Sequence, residues 1–285
     1  MKVDVVVCAK NTAESLGRVL HQIMHQIPFE NLIVVYGTSL DSTKETAYKY
    51  TNNVFWDGDK GLGAARSLGV KKATSEIVAM IDSDVVLTKG WFRQLIGHFQ
   101  NPKVAAVNGT CIYGHGCKPL ESYWEYIRRT APVNVGCHNT MFRREAVLKV
   151  GNFDETIQGA GEDYDLYFRL LAAGYRWVWV KEATVYHPMS MLEFLKHVRW
   201  WSRGRTATDR LYAQIADASL ARVYGRLVLS IPLSVGEGLK LSFLVHPALL
   251  FYSPLINVVN VSENLRSLKN LHNTSEPSLI ASKMV

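Results

Sequence analysis

Two carboxylates separated by one residue, Asp82 and Asp84, follow the apolar run of residues 77–81. At a strand end this spacing suits a hard divalent ion such as Mg2+ or Mn2+, which can in turn bridge a diphosphate. It equally describes a solvated turn, and Asp-x-Asp is short enough to arise by chance. A second acidic group, Glu162, Asp163 and Asp165, sits where a helix starts. The helix dipole accounts for one acid there. Three exceed what a cap needs, and one can serve as a general base that takes a proton from an acceptor hydroxyl. A third group, Lys60-Gly61-Leu62-Gly63-Ala64-Ala65-Arg66, precedes the Asp82 strand by one helix length. Its glycines permit close approach of backbone to a ligand, although glycine also opens helices for structural reasons, and Arg66 can bind a phosphate bidentately. His187 follows a strand, where a lone histidine is more often structural than a ligand.

These residues need elements to position them. Residues 3–7 form a solidly apolar strand of the kind buried on both faces of a sheet. Leu16, Val19, Leu20, Ile23 and Met24 then recur at helical spacing. Residues 32–35 predict a second strand, and Ser42-x-x-Glu45 a capping box for the next helix. Residues 54–56, 63–73 and 77–81 continue the alternation, which predicts right-handed crossovers and an open α/β sheet. In such sheets ligands bind beyond the carboxyl ends of the strands, where Asp82 and Asp84 fall. Further on, residues 120–129 predict a helix, 139–142 a strand, and 163–173 a helix stopped by Gly174. Residues 177–180 and 183–186 predict two more strands.

A hydrophobic share of 48% with 20% charged residues over 285 positions is that of a globular protein, so fibrous and disordered classes are excluded. The net charge of +7 admits nucleic acid, anionic lipid or a phosphorylated substrate. No zinc-finger, homeodomain or RNA-recognition signature supports the first, and no nucleic-acid partner is expected. The four cysteines form no Cys-x-x-Cys pair, which fits a reduced, cytoplasmic setting, and Met1-Lys2-Val3-Asp4 does not begin a signal peptide. Sequons at Asn108, Asn260 and Asn273 are then accidental. Charges thin out near Arg210, giving a catalytic domain over 1–210 and an apolar helical tail over 211–285. Residues 241–261 carry no charge over 21 positions, close to the ~20 needed to cross a bilayer. His246, Pro247, Pro254, Asn257 and Asn260 interrupt the run, and residues 227–235 form a second apolar stretch. Beside Arg205, Arg210, Arg222 and Arg226 this pattern fits helices lying in a membrane interface; a cap over the catalytic domain or a dimer face is the plainer reading.

Taken in order, the motifs resemble those of the family 2 glycosyltransferases over residues 3–205. The resemblance implies the GT-A nucleotide-diphospho-sugar fold, an open, mostly parallel twisted sheet flanked by helices. It implies that Asp82 faces the nucleotide, that Asp84 holds Mn2+ or Mg2+, that Arg66 contacts the nucleotide, and that His187 joins the metal or diphosphate. Residues 142–155 match the family's acceptor segment, and Glu162 and Asp163 its catalytic pair, with Asp163 as the base. Two departures stand out. Tyr36 occupies the place where an Asp commonly contacts the base, and Cys8-Ala9-Lys10-Asn11 replaces Pro-x-x-Asn, so Asn11 carries over with the backbone of Ala9 against the base. Lys196-His197-Val198-Arg199-Trp200 is similar to the Gln-x-x-Arg-Trp of processive members, but the chain is too short for a polymer channel. The implied activity is inverting, metal-dependent and hexosyltransferase-like, with a nucleotide diphosphate sugar as donor. A glycan or polyprenyl phosphate would accept through a hydroxyl or phosphate at an anionic membrane surface, on the cytoplasmic face of the cell membrane. The rivals are a catalytically inactive sugar-nucleotide-binding or partner protein, kept open by Tyr36, and a sugar nucleotidyltransferase, which has no need of the Glu-Asp helix start.

Overall fold

Strand β1 (Val3–Ala9) is buried along nearly its whole length because helices cover both of its faces. It pairs in parallel with β2 (Asn31–Tyr36) on one side and β4 (Ile77–Asp82) on the other, and the short β3 (Val54–Trp56) extends the sheet beyond β2. The crossovers are α1 (Ala13–Gln26), α2 (Thr43–Tyr48) and α3 (Leu62–Lys72). These observations, from a computed structural model that describes residues 1–157, 159–215 and 220–273, bear out the alternation expected of the first half. The Ser42 capping box does not form. Asp41 does the capping instead, accepting the Ala13 N–H at 2.9 Å and the Thr43 N–H at 3.1 Å, so one carboxylate serves two helix starts.

Beyond β4 the sheet is mixed. β7 (Asn139–Arg143) runs antiparallel to β4, β6 (Val104–His115) antiparallel to β7, and β8 (Arg176–Pro188) parallel to β6. The two-residue β5 (Val86–Leu87) closes the order β3-β2-β1-β4-β7-β6-β8-β5. The mostly parallel sheet expected from the sequence is therefore corrected to a parallel half joined to a curled mixed half. The reversal matters for position: it sets Asn139, at the start of β7, opposite Ile81 at the end of β4. The two strands expected over 177–186 are one strand. The break between them is a register shift against β6 at Asn108/Thr110, where Gly109 leaves room for the Ala183 carbonyl. Remaining helices of this half are α4 (Trp91–Ile96), α5 (Lys118–Thr130), α6 (Arg144–Lys149) and α7 (Glu162–Ala172), the last followed by Gly174 at φ +80°.

Successive residues of β1 feed opposite cores. Val5 and Val7 pack with Leu16, Ile23 and Trp91 on one face. Val6 packs with Val70, Phe142, Phe153 and Leu166 on the other.

Three helices follow β8: α8 (Met191–Ile215), α9 (Leu220–Leu244) and α10 (Leu249–Asn273). The expected boundary near Arg210 falls inside α8. The apolar helical tail is not supported as one apolar segment. Its uncharged run is divided between α9 and α10, and Leu241, Leu249 and Val261 are buried. Asn257 and Asn260, which interrupt the apolar pattern, hydrogen-bond across helices to Ser230 and Ser202. Among the described residues no helix is long and apolar enough to cross a membrane. Large side chains nonetheless face outward, with Phe243 88%, Phe251 74% and Leu233 71% exposed. The side chains of Arg205, Arg210, Arg222 and Arg226 lie outside the described residues. At its middle α8 touches the segment before α7 backbone to backbone: Gly204 leaves no space for a Cβ beside Ala160, and one on Gly159 would stand 3.2 Å from the Gly204 Cα.

Candidate active site

The carboxyl ends of β1, β2 and β4 bring Ala9, Tyr36 and Asp82 to one edge of the sheet, with Ala9 opposite Tyr36 and Cys8 opposite Asp82. Asp82 closes β4, and its N–H donates to the His138 carbonyl at 3.1 Å. Helix α3 starts at Gly61, φ +100°, and then lies so close to the 154–157 turn that a Cβ on Gly63 would sit 2.5 Å from the Asp154 carbonyl. One turn into this helix, Arg66 is 4% exposed and forks between two carboxylates. Its Nη2 donates to Asp82 Oδ1 at 3.0 Å and its Nη1 to Glu162 Oε1. Glu162 is the first residue of α7, set there by Gly161 at φ +114°.

Burial dominates the electrostatics of this group. It pushes Glu162 up to about 7, with Arg66 pulling down and Asp163 pushing further up. Burial likewise raises Asp163 against the pull of Arg66. Arg66 itself is held well above its ordinary value, since the Glu162 and Asp82 carboxylates outweigh the cost of burying it. The Glu162 Oε2 is buried and has no hydrogen-bond partner among the described residues. The expected phosphate contact of Arg66 finds its guanidinium already engaged. In this structure the residue orders the two carboxylates.

Two residues past Asp82, Asp84 Oδ2 lies 3.3 Å from His187 Nε2. Burial works against both charged forms, yet the contact prevails, lowering the Asp84 carboxyl and raising the His187 imidazole. The His187 ring stacks on Tyr113 at 5.2 Å and meets the edge of His197 at 5.5 Å. His138, buried beneath, is pushed down to about 4 and stays neutral. An oxygen and an imidazole nitrogen this close are a donor pair suited to Mn2+, with Mg2+ less favoured by the nitrogen. Among the described residues no group of three such side chains occurs.

Other expected residues fall differently. Asn11, at φ +53°, accepts the Leu40 N–H at 2.7 Å through its side chain and donates its own N–H to Ser39 at 3.0 Å, bracing the loop after β2. Within the expected acceptor segment, Asn152 bonds Ser67 and Glu155 bonds Ser67 and Lys71, so these two residues brace α3. Sequence reasoning missed Tyr113, His138, Trp201 and the half-exposed Trp56 opposite Tyr36. No motif marks them, and the strand that carries Tyr113 is interrupted in sequence by Asn108, Gly109 and Thr110 although it is buried almost throughout.

Strand ends carrying spaced carboxylates on a curled mixed α/β sheet define the GT-A glycosyltransferase fold. A mannosyltransferase from Pyrobaculum calidifontis in complex with GDP-Man and Mn2+ superposes with a TM-score of 0.65 at 17% identity, covering 94% of this chain and 87% of that one. Glucosyl-3-phosphoglycerate synthase from Mycobacterium tuberculosis, in complex with Mn2+, UDP-Glc and phosphoglyceric acid, gives 0.51 at 18% identity over 72% and 79%. The sequence model of Glycosyl transferase family 2 matches residues 4–151, more than half of the chain, and the chain belongs to that family. A pre-mycofactocin glycosyltransferase of Mycobacterium tuberculosis is 33% identical over 202 residues, covering 63% of this chain and 41% of the relative; the chain thus spans about two fifths of that relative's length. A glucosyl-dolichyl phosphate glucuronosyltransferase of Haloferax volcanii is 26% identical over 256 residues, covering 76% and 80%.

Proposed function

We propose that this protein is an inverting, metal-dependent, non-processive glycosyltransferase. It moves a sugar from a nucleoside diphosphate to a hydroxyl or phosphate of a glycan or polyprenyl-phosphate acceptor, at the cytoplasmic face of a membrane. The observation that carries the reading is the Arg66 fork, which ties the strand-end acid Asp82 to Glu162, 96 residues away from Arg66, and so supports a donor site beside Asp163, the next residue. A nucleotide-binding protein without turnover has no use for a buried Glu162 and an adjoining, partly exposed Asp163 at that point. The one relative reported above whose name includes a glucosyl-dolichyl phosphate, and the fold neighbours named with Mn2+ and a nucleotide sugar, support the same donor and acceptor classes.

Asp163 takes the proton of the acceptor hydroxyl as its oxygen attacks the anomeric carbon, and the diphosphate departs on the opposite face. Glu162, fixed by Arg66, sets the start of α7 and with it the position of Asp163. Asp82 meets the nucleotide across the sheet edge from Ala9 and Tyr36. When bound at Asp84 and His187, Mn2+ or Mg2+ supplies positive charge against the departing diphosphate. The exposed Phe243 and Phe251, with the basic flanks of the tail, support contact with an anionic membrane.

A panel of nucleotide sugars, screened with Mn2+ for release of the nucleoside diphosphate, tests the activity. With the donor identified, Asp84→Asn weakens the metal-dependent component of nucleotide binding measured by calorimetry. Asp163→Asn keeps that binding and loses ~10²–10⁴-fold in turnover onto a hydroxyl acceptor. Unchanged metal dependence in the first variant, or near-normal turnover in the second, removes the corresponding role.

A further inference from the structure

Between α5 and the three C-terminal helices lies a cavity of about 320 Å3, within the ~300–1,000 Å3 range of small-molecule sites. Trp124, Phe194, Trp201, Leu241, Leu249 and Ile256 form most of its wall, and none of its lining residues is charged. Ser202, Ser253 and Asn260 add polar atoms to the lining, and a hydrocarbon chain held there would cover the larger, apolar part of the wall. The Trp124 indole N–H has no hydrogen-bond partner among the described residues.

The cavity lies between two regions of opposite character. On the inner side, Trp124 and Trp201 pack against Tyr113 with ring centroids 4.9 and 5.3 Å away, Tyr113 stacks on His187, and His187 contacts Asp84. The wall is therefore one aromatic ring from the residues suited to the donor's metal. On the outer side, exposed Phe243 follows the lining residue Leu241 by two positions, exposed Phe251 follows Leu249 by two, and exposed Leu255 adjoins Ile256. An apolar chain reaching the cavity from these helices would direct its head toward His187 and His197. Lys196 stands next to His197 on α8, and the chain as a whole carries +7, so the head best matched is anionic.

We infer that this cavity holds one isoprenyl or alkyl chain of a phosphate-bearing lipid, seated so that its head presents the acceptor group to the site. The inference rests on the glycosyltransferase reading and names the acceptor's anchor. A soluble sugar acceptor would leave the cavity without a role, and a peptide would find no charged group in it to pair with.

Farnesyl phosphate, used below its aggregation concentration, tests this by calorimetry on the full chain, beside isopentenyl phosphate and the Mn2+-nucleoside diphosphate pair. Farnesyl phosphate binds at least roughly tenfold more tightly than isopentenyl phosphate, because the extra hydrocarbon leaves water. Ile256→Trp, which fills the cavity, abolishes that difference and leaves nucleotide binding intact. A diazirine-bearing farnesyl analogue, which needs no variant, labels peptides of α5, α8, α9 or α10 in the unaltered protein. Equal binding of the two phosphates, or labelling confined to other elements, overturns the inference while nucleotide binding preserves the glycosyltransferase reading. Absence of nucleotide binding would instead remove that reading and, with it, the acceptor role of the cavity, whatever lipid it bound.

Discussion

At the scale of residues, the site is organised by one cation buried among acids. Replacing the Arg66 guanidinium would leave Glu162 uncompensated in a dry environment, so the arginine fixes both the geometry and the charge state of its neighbours. Because Glu162 and Asp163 are adjacent and both raised, they titrate as a pair. The sign is set by the direction of the shift. A raised carboxyl keeps its proton further up the pH scale, so a base drawn from this pair is lost, as pH falls, sooner than an ordinary carboxylate would be. Turnover at saturating donor should accordingly begin to fall, as pH is lowered, while still above the ordinary carboxylate range. A turnover profile flat down to pH 5 would show that the base lies outside this pair. Much of the candidate site was legible in the sequence because it sits at element ends: Asp82 and Asp84 at and just past the end of a strand, Glu162 and Asp163 at a helix start, His187 near the end of another strand. Tyr113, His138 and Trp201 were not legible, because their meaning comes from rings brought together by the sheet and α8 rather than from any local pattern.

At the scale of elements, the parallel half could be read because each strand and its helix announce themselves over a dozen residues. The antiparallel β7 could not, since strand direction depends on which partner it finds across the sheet. Nor could the capping role of Asp41, which depends on the start of α1 lying beside that of α2. The seating of α3 on the 154–157 turn is likewise a long-range fact, with a direct consequence. Gly63→Ala forces a Cβ to within 2.5 Å of the Asp154 carbonyl, so either the helix or the turn must move. The substitution should cost ~1–3 kcal/mol in urea unfolding and lower turnover through displacement of Arg66. Gly97→Ala, whose Cβ meets nothing within 4 Å, is the control and should leave both unchanged. Equal stability of the two variants would show that α3 is not held by this contact.

At the scale of the whole molecule, the apolar tail expected from composition resolves into helices that bury some of their hydrophobic residues and present others. Full-length protein should sediment with anionic liposomes at low salt and be released as salt rises, each surface cation contributing ~1 kcal/mol. Phe243→Ser with Phe251→Ser should weaken this without altering nucleotide binding. Protein that stays in the supernatant at low salt would refute membrane contact and leave the catalytic assignment standing. The backbone contact of Gly204 with Ala160 bears on how such a molecule can diversify. Since α8 is seated on the segment that leads into Gly161 and the acid pair, the C-terminal helices are not an exchangeable module. A graft that brought a new set of helices to accept a new substrate would also have to reproduce a side-chain-free joint at that point. Acceptor range and catalytic geometry are thereby inherited together.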